Sequence, residues 1–490
     1  MKILALVIIA CAALWAACGL LPERFAFNAP MAHLLWGRGI DPPAPETIRG
    51  RLRAPEGMAV ALYADDLPFA RMLRFTSAGD LLVSLPRSGK IVLLERDANG
   101  DGRPDGRRTL LEGLDRPNGM DFHGGWLYIA EAGAVARVHF DPELGQTQGP
   151  IERVVRNLPK GGNHWTRTLR FGPDGWMYVS VGSSCNVCIE DDPRRAAIVR
   201  YRPDGSNEEL YATGLRNAVG FDWQPATGEL FATDNGRDLL GDDLPPCELN
   251  RVVAGGFYGW PYAYGDNVPD PDFGPGAEAR IAEALPPEHG FRAHNAPLGI
   301  TFVRGADPPE ALRGTALVAL HGSWNRTRKD GYKVVSLHWT PDGIEERDFL
   351  TGFLVDEDVI GRPVDVAEGP DGSFYVSDDY AGAIYRVSSG TGKARPAADR
   401  TPPSSHPTTA SSTPGDAARG HALFQSLGCP ACHGASDAPD SATVALVDLA
   451  ARYDTRTLAT FLEAPTPPMP AVDAPEADRL DLAAYLLSRN

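Results

Sequence analysis

Gly175-Trp176-Met177-Tyr178-Val179-Ser180 is a glycine followed by a short apolar and aromatic run, and this pattern recurs along the chain. A Pro-Asp-Gly or similar tight-turn signal precedes several copies. A second strand-like run, such as Ala197 to Tyr201, follows each copy. The other copies begin at Gly79, Gly125, Gly228, Gly314 and Gly372. Strand pairs that recur at a spacing of roughly fifty residues are typical of a radial repeat.

The six strand pairs predict an all-β fold, a six-bladed β-propeller, in which each blade is a twisted four-stranded sheet and closure hides the sheet edges. The larger gap between the fourth and fifth copies predicts a long insertion within about residues 255–312. No helical periodicity separates the strands, which argues against a doubly wound α/β sheet. A β-sandwich is the alternative that remains open.

The composition of the 490 residues changes along the chain and predicts further segments. We expect the propeller over residues 46–390, after an N-terminal extension at 22–45. Residues 391–416 are rich in Pro, Ser and Thr and nearly lack large apolar side chains, so they are predicted to be a linker. Residues 417–490 carry Ala, Leu, Arg and Asp in amphipathic order, which predicts a small all-α domain.

The C-terminal segment contains the haem-attachment pattern Cys429-Pro430-Ala431-Cys432-His433. Two thiols at this spacing can bond covalently to the vinyl groups of haem, and His433 then binds the iron. Met469 is the expected second axial ligand, and a Met/His pair raises the reduction potential. With predicted helices at 417–427 and 477–487, the segment resembles class I cytochromes c. A disulfide or a zinc site at the cysteine pair, and a packing role for Met469, are the alternatives.

The N-terminus has the pattern of an export signal, because Met1-Lys2 precedes an apolar run from Ile3 to Leu21. Residues 1–21 are therefore expected to be a signal peptide or a membrane anchor. Small residues before Cys18 resemble a lipoprotein processing site, whereas the length of the run also suits an uncleaved spanning helix or, less readily, a buried core helix. We expect a periplasmic protein that its N-terminus tethers to the membrane.

The formal net charge is −17, from 64 acidic and 47 basic side chains. An acidic surface repels phosphate backbones, so we do not expect nucleic acid as a partner. A basic electron carrier suits this charge better, and a downstream electron acceptor in the periplasm or membrane is expected.

The propeller segment resembles the soluble aldose and sorbosone dehydrogenases that use pyrroloquinoline quinone (PQQ), from about Ala54 to Val387. The strings that carry the resemblance are GNHWTR at 162–167, FGPDG at 171–175, GLRN at 214–217, DNGR at 234–237, GFYGWP at 256–261, HNAPLG at 294–299, HGSWNR at 321–326 and GRPVDV at 361–366. The polar and charged residues of these strings lie in loops just before blade strands, so several are expected to meet at one mouth of the propeller channel.

The expected chemistry assigns roles to these residues. Oxidising a hemiacetal carbon needs a base for the hydroxyl proton, and His164 is the candidate. The sequence has no G-x-G-x-x-G after a strand, which excludes Rossmann-type nicotinamide and flavin binding, so another cofactor must accept the electrons. The resemblance implies PQQ, with Arg216 as a second catalytic residue, and Ca²⁺ on main-chain oxygens of Gly236 and Arg237 as a Lewis acid. The further cofactor-binding candidates are Asn217, Asn235, His321, Arg326 and Arg362, of which the arginines suit the three carboxylates of PQQ.

Two departures from the pattern of the soluble glucose enzymes concern specificity. Arg362 is followed by Pro363 and Val364, so one of two closely spaced arginines is lost. Ser183-Ser184 replaces an aspartate that is expected near the strand that follows the base. Both departures make the sequence closer to the sorbosone-type branch.

The resemblance does not account for three further features. Cys185 and Cys188 form a second C-x-x-C, for which a local disulfide is favoured over a redox or zinc site in an oxidising compartment. Cys247 has no evident partner. The acidic loop from Asp97 to Asp105 partly resembles an EF-hand calcium loop but lacks the distal glutamate, so a second calcium site and a solvated turn both remain open.

The sequence therefore predicts an exported quinoprotein that oxidises a sugar or sugar aldehyde and passes electrons to its own c-type haem. One alternative is a calcium-dependent propeller hydrolase, such as a lactonase, with the cytochrome serving a separate step. Another is a noncatalytic electron-transfer scaffold. The fused haem argues against the hydrolase, because hydrolysis releases no electrons.

Overall fold

Six large antiparallel sheets follow one another in the described part of the chain and make a six-bladed β-propeller. This arrangement confirms the sequence prediction and excludes the β-sandwich. The computed structural model describes residues 23–30, 39–306, 308–389, 417–427, 429, 449, 453, 455–463, 472 and 474–488.

The strands of the blades follow the chain in order. Blade 1 contains Leu73–Phe75, Leu81–Leu85, Lys90–Leu94 and Arg107–Leu111, and blade 2 contains Met120–His123, Trp126–Glu131, Ala134–Asp141 and Gln146–Arg156. Blade 3 contains Leu169–Phe171, Met177–Val181, Ala197–Tyr201 and Glu209–Thr213, and blade 4 contains Ala218–Trp223, Leu230–Asp234, Cys247–Val252 and His289–Phe291. Blade 5 contains Pro297–Phe302, Ala316–Leu320, Lys333–Thr340 and Gly343–Leu350, and blade 6 contains Pro363–Glu368, Phe374–Asp378, Ala383–Ser389 and Met58–Ala64.

Smaller elements lie between the blades. Gly256–Phe257 pairs in parallel with the last strand of blade 3, within the predicted insertion. The remaining elements are the hairpins Ala263–Tyr264 with Val268–Pro269 and Leu354–Val355 with Asp358–Val359, the helices Pro45–Arg51 and Glu278–Ile281, and the 3₁₀ turns Glu23–Phe25 and Glu310–Leu312.

Blade 6 is built from both ends of the propeller segment. Met58–Ala64 precedes blade 1 in the chain but pairs antiparallel with Ala383–Ser389, so that Val60 lies opposite Val387. This pairing supplies the outer strand of the last blade and closes the ring, which leaves no gap between the first and last blades.

The repeated glycine lies in the turn before the second strand of each blade. Gly175 has φ +75° and Gly79 has φ +95°, and the other copies also have positive φ. L-residues with a side chain rarely adopt this backbone conformation, so the turn geometry requires glycine. The repeat that predicted the fold therefore has a local conformational cause.

The core is formed where neighbouring blades pack face to face. Every residue of Met177–Val181 is buried. In the outer strand Arg107–Leu111, exposed residues alternate with partly or fully buried ones. Tyr128 of blade 2 packs with Leu169 and Val199 of blade 3 in one apolar cluster. Burial of apolar surface at about 25 cal/mol per Å² is the main force that holds such a ring together.

Antiparallel pairing gives the propeller two distinct faces. Because chain direction alternates, the loops after the second and fourth strands of each blade lie on one face, which we term the upper face. The loops after the first and third strands lie on the opposite, lower face.

Part of the N-terminal extension packs on the upper face. The side-chain amide of Asn325, in a loop of blade 5, donates to the carbonyl oxygen of Ala26 at 2.7 Å. The Phe27 ring contacts the Trp324 ring edge to face, with centroids 5.4 Å apart. The predicted export segment, residues 1–21, lies outside the described residues.

Contacts divide the chain into two compact units, residues 1–399 and 400–490. In the second unit, the helices Ala417–Ser426 and Glu476–Leu487 agree with the two predicted helices, and Thr455–Glu463 is a further helix. Phe424, Leu458 and Leu482 contribute to its apolar cluster.

The predicted linker, 391–416, lies outside the described residues, as do Cys432, His433 and Met469. Cys429 is described, and its amide donates to the carbonyl oxygen of Phe424 at 3.2 Å. Among the described helices, none is both long and apolar enough to cross a membrane.

Candidate active site

The upper-face loops of blades 3 and 4 bring most of the predicted site residues together. His164 precedes the first strand of blade 3, and Ser183 follows its second strand. Arg216 and Asn217 lie between blades 3 and 4, and Asn235 follows the second strand of blade 4. All these loops follow a second or a fourth strand, so they share one mouth of the channel.

The imidazole of His164 is held by one residue. Nδ1 lies 2.9 Å from both the carbonyl oxygen and the hydroxyl oxygen of Ser183. The Ser183 hydroxyl donates to the carbonyl oxygen of Cys185 at 2.7 Å, so both Ser183 oxygens are acceptors toward Nδ1–H. Nε2 has no hydrogen-bond partner among the described residues, and this tautomer leaves it unprotonated. The geometry is that of an oriented general base.

Gly182 forms the floor between His164 and Asn217. A Cβ atom at this glycine would lie 2.6 Å from both the Cβ of His164 and the Oδ1 of Asn217, so only glycine lets the two side chains approach so closely. The side-chain amide of Asn217 forms no hydrogen bond within the described part of the chain. Its donors and acceptor therefore remain available to a ligand beside the candidate base.

Arg216 is only 4% exposed, and protein oxygens accept from all its guanidinium nitrogens. Nη1 donates to the carbonyl oxygens of Asn235 and Gly236 at 3.0 and 2.9 Å. Nε and Nη2 donate to the main-chain and side-chain oxygens of Asn186, and Nη2 also meets Asp238 at 3.3 Å. Arg216 thus fixes the loop that carries the predicted calcium ligands, and it brings a buried positive charge to the mouth.

Asn235, the next predicted residue, ties the same loops together. Its side-chain amide donates to the carbonyl oxygens of Asn217 at 3.1 Å and Pro297 at 3.2 Å. Asn235 therefore positions Asn217, and its side-chain NH₂ group is already bound to protein acceptors.

The predicted calcium loop has a suitable donor set. The oxygen of Gly236 accepts one bond from Arg216 and keeps a second lone pair, and the oxygen of Arg237 has no donor among the described residues. A Cβ at Gly236 would meet the oxygens of Pro246 at 2.8 Å and Pro245 at 3.3 Å, so main-chain oxygens crowd this glycine. The Arg237 side chain pairs with Asp270, which neutralises its charge. Main-chain oxygens are ligands that calcium accepts, so these residues fit the ion.

The remaining candidates lie in upper-face loops of blades 5 and 6. His321 Nε2 donates to Asp379 at 2.9 Å, and Nδ1 accepts from Arg362 Nη2 at 3.0 Å. Asp379 also pairs with Arg71 at 2.9 Å, which extends the chain of contacts to blade 1. Both ring nitrogens of His321 are thus occupied, whereas Nη1 of Arg362 has no protein partner in the described ranges.

Trp165 contacts arginines from two other loops of the mouth. It follows His164 in the chain, and the guanidinium groups of Arg71 and Arg116 lie 6.0 and 4.6 Å from its ring centroid. Arg116 is exposed and forms no ion pair with any described residue. Arg326, by contrast, donates to main-chain oxygens of Asp242 and Ala293 and so stabilises a neighbouring loop.

Burial sets the protonation of the site. Burial, and then the positive charge of Arg216, lower the pKa of His164 to about 3. Burial, and then Arg362, lower the pKa of His321 to about 3 as well. Burial alone would raise the pKa of Asp379, but His321, Arg71 and Arg362 hold it well below its usual range. Both histidines are therefore neutral and Asp379 is ionised near pH 7.

The mouth thus contains polar groups that have no hydrogen-bond or ion-pair partner among the described residues. They are Nε2 of His164, the Asn217 amide, Nη1 of Arg362 and the Arg116 guanidinium. Cationic and amide donors around one unprotonated imidazole fit an anionic, carboxylate-bearing cofactor such as PQQ.

A cavity of about 310 Å³ lies elsewhere, in the channel between the first strands of the blades. Two arginines of its lining form ion pairs: Arg304 binds Asp222 at 2.7 Å, and Arg74 binds Asp121 at 2.5 Å. These pairs bridge neighbouring blades. We place the candidate active site at the mouth, because the imidazole nitrogen Nε2 of His164 and the donors of Asn217 and Arg362 that have no described partner lie there.

Several residues of the site were not predicted from the sequence. Ser183 occupies the place where an aspartate was expected, and it orients His164 instead. Asn186 lies inside the C-x-x-C, and Cys185 and Cys188 are bonded to each other, as predicted. Asp379 and Arg71 had no sequence signal, since each acts through partners in another blade.

Comparisons with known proteins show what this chain is similar to. The sequence profile of the family described as Glucose / Sorbosone dehydrogenase matches residues 129–386. A protein of Borreliella burgdorferi, described only as an uncharacterized protein, is 33% identical over 294 residues, which cover 57% of this chain and 77% of that protein. The pyrroloquinoline quinone-dependent pyranose dehydrogenase of Coprinopsis cinerea is 26% identical over 423 residues, which cover 71% of this chain and 56% of that protein.

A solved structure is similar over the propeller. The holo form of the pyranose dehydrogenase PQQ domain from Coprinopsis cinerea superposes with a TM-score of 0.60 at 22% identity and covers 71% of this chain and 98% of that chain. This similarity supports the six-bladed propeller fold.

Proposed function

This chain belongs to the glucose/sorbosone dehydrogenase family, and on that premise we propose that its propeller oxidises a sugar or sugar aldehyde with PQQ and calcium and passes the electrons to a C-terminal c-type haem. The observation that carries the proposal is His164: Nδ1 is held by Ser183, and Nε2 is left free beside the unsatisfied amide of Asn217.

The cofactor would be held by groups that the protein leaves unpaired. Asn217 and Nη1 of Arg362 offer donors to carboxylate or quinone oxygens, and the main-chain oxygens of Gly236 and Arg237 would hold calcium. A bound PQQ supplies the two-electron acceptor that amino-acid side chains lack.

The proton of the reacting hydroxyl goes to Nε2 of His164. Oxidation of a hemiacetal carbon to the lactone breaks one O–H and one C–H bond and forms the second C–O bond of the carbonyl. The O–H proton is taken by His164, and the two electrons leave with the C–H hydrogen. The low pKa of His164 keeps Nε2 unprotonated before the reaction, and Ser183 holds the ring in position. The buried charge of Arg216 favours the negative charge that develops on the accepting side.

A c-type haem in the C-terminal segment would supply a one-electron carrier. In this proposal Cys429 and Cys432 attach the haem, and His433 and Met469 bind its iron. A downstream acceptor in the periplasm or membrane would then receive the electrons.

An exported location is part of the proposal. The Cys185–Cys188 disulfide supports it, because structural disulfides persist in oxidising compartments. Residues 1–21 would act as the export signal and membrane tether, through Cys18 lipidation or an uncleaved helix.

The test of the propeller's chemistry uses an artificial electron-accepting dye. The full chain, depleted of cofactor, is mixed with PQQ, calcium chloride and a panel of aldoses and sugar aldehydes. Substrate-dependent dye reduction that requires both PQQ and calcium is expected. Hydrolysis of lactones with calcium alone, without any dye reduction, would instead identify the propeller as a hydrolase.

A further inference from the structure

The loop from residue 95 to 106 joins the third and fourth strands of blade 1 on the lower face, opposite the mouth. Oxygen-bearing side chains occur at every second position, at Asp97, Asn99 and Asp101, and again at Asp105. This spacing is that of the first five liganding positions of a calcium-binding loop, with the usual glycine after the third of them, at Gly102.

Asp97 is the feature that points to a ligand. Its side chain is only 8% exposed, and its Oδ2 accepts from the amide of Gly102 at 2.9 Å and from Arg386 at 3.3 Å. The bond from Gly102 ties this carboxylate oxygen to the loop. Its other oxygen, Oδ1, is buried and has no hydrogen-bond donor among the described residues. A buried carboxylate oxygen without a partner is rare and costly, which singles out Oδ1 as a candidate cation ligand.

The other donors are available to complete such a site. Asp101 Oδ1 accepts from the amide of Arg103 at 2.8 Å, and Asp105 Oδ2 accepts from the amide of Ala98 at 3.2 Å. Each of these exposed carboxylates keeps its second oxygen free of protein donors in the described ranges. The loop therefore carries three carboxylates, and Arg386 is the one arginine in the described residues that pairs with Asp97.

The carboxylate oxygens of Asp97, Asp101 and Asp105 do not lie close enough together to surround an ion in this structure. In the described residues, only Cys185, Cys188 and Glu190 have ligand atoms that all lie within 4.8 Å of one another. Asp101 and Asp105 must therefore turn toward Asp97 when an ion binds, and their exposure permits this. Such a site favours calcium over magnesium, because calcium tolerates irregular coordination by many oxygens whereas magnesium demands an octahedron.

We propose that the loop from Asp97 to Asp105 binds one calcium ion, with the buried Oδ1 of Asp97 as its central ligand. Asn99, Asp101, Asp105 and the main-chain oxygen of Arg103 supply the remaining protein ligands. The ion stabilises the junction between the first and last blades, because Asp97 contacts Arg386 of blade 6. This site is separate from the calcium that the proposed catalytic function requires on the upper face.

The test compares calcium uptake by the full chain with uptake by the double variant Asp101→Asn/Asp105→Asn, each without PQQ and titrated with calcium chloride in a calorimeter. Both substituted residues are exposed, so the variant is expected to fold. We expect the variant to bind one equivalent of calcium less than the wild type and to lose the calcium-dependent rise in Tm. Asp342→Asn, in an exposed turn of blade 5, is the matched control and should bind as the wild type does.

Equal calcium stoichiometry in the wild type and the double variant would overturn the proposal, whatever the upper face binds. Tighter binding of magnesium than calcium at the extra site would overturn it too. Asp97→Asn gives a second measurement: it removes a full ligand charge, and the extra equivalent should disappear even if this variant is less stable. Dye reduction by sugars in the double variant, at saturating calcium, reports the catalytic site independently.

Discussion

Ser183 holds the imidazole of His164 with two oxygens of its own, the carbonyl and the hydroxyl, each 2.9 Å from Nδ1. The partner of this base is therefore neutral. A neutral partner fixes the tautomer and the ring orientation without adding a negative charge that would raise the pKa of the imidazole. The Ser183 hydroxyl donates in turn to Cys185, so the disulfide-bonded loop helps to position the base.

His164→Gln should slow sugar-dependent dye reduction by roughly 10²–10⁴-fold, the usual contribution of a positioned base. PQQ and calcium affinities should change little, because the candidate cofactor contacts lie on other residues. Steady-state rates and PQQ titration measure both effects. His139→Gln, on the third strand of blade 2, is the control and should keep the full rate. A His164→Gln enzyme of undiminished rate would show that another group takes the proton.

The pKa of His164 gives a pH prediction. Burial, with Arg216, lowers it to about 3, while an unfolded histidine titrates near 6.5. The folded site therefore stays neutral as pH falls, whereas the unfolded chain takes up a proton below about pH 6.5. The stability that this neutral histidine contributes is present above that value and is lost as pH falls toward 3.

Measurements of the free energy of unfolding between pH 7 and 4 test this behaviour. The wild type should lose more stability across this range than His164→Gln does. The dye-linked rate should likewise show no ionisation of His164 between pH 5 and 8. An acid limb near pH 6.5 that disappears in His164→Gln would contradict the assigned protonation state.

The repeated glycines illustrate what the sequence could predict. Each copy reflects a local requirement, a positive φ in a tight turn, and such requirements are visible in the residue type itself. The outer strands were harder to recognise in the sequence. Arg107–Leu111, for example, begins with two arginines and is partly exposed, so it lacks a continuous apolar run. The closing strand Met58–Ala64 pairs with a segment more than three hundred residues away, and no local signal specifies that pairing.

The candidate site likewise contains residues that the sequence could predict and residues that it could not. His164, Asn217 and Arg362 lie in strings that resemble a family, and the structure places all three on the upper face. Asp379 was missed because its partners, Arg71 and His321, come from other blades and meet it only after the ring closes. The roles assigned to Arg216, His321 and Arg326 remain predictions, although their donors are largely bound to protein oxygens.

Asn186→Ala should destabilise the fold and the site together. The side-chain oxygen of Asn186 accepts from Arg216 at 2.9 Å and from the amide of Asp238 at 2.8 Å. Removing it leaves buried donors unsatisfied, at a cost of about 1–3 kcal/mol in the free energy of unfolding. Urea denaturation measures this loss, and the dye-linked rate should fall because Arg216 and the Gly236 loop are less fixed.

Ile189→Ala is the control for that loop. Its side chain is 58% exposed, so the change in unfolding free energy should stay within about 0.5 kcal/mol. If Asn186→Ala is equally mild, Arg216 is held adequately by its other acceptors, and the argument for the disulfide loop as a positioning element is wrong.

Met469→Ala should lower the haem reduction potential, because the thioether is the potential-raising axial ligand. Redox titration of the full chain, with the reduced absorption spectrum, measures the change. Cys429→Ala combined with Cys432→Ala should abolish covalent haem while dye-linked sugar oxidation persists. An unchanged potential and spectrum in Met469→Ala would assign the sixth ligand to another residue.

Sugar-dependent reduction of the chain's own haem, without any dye, tests the central claim most directly. The full chain is loaded with PQQ and calcium, kept free of oxygen, and mixed rapidly with aldoses or sugar aldehydes while the haem spectrum is recorded. The account predicts haem reduction that requires both PQQ and substrate and that slows roughly 10²–10⁴-fold in His164→Gln. A haem that stays oxidised with every substrate, while the propeller reduces dye, would contradict electron transfer to the chain's own haem; failure of both reactions would contradict the dehydrogenase itself.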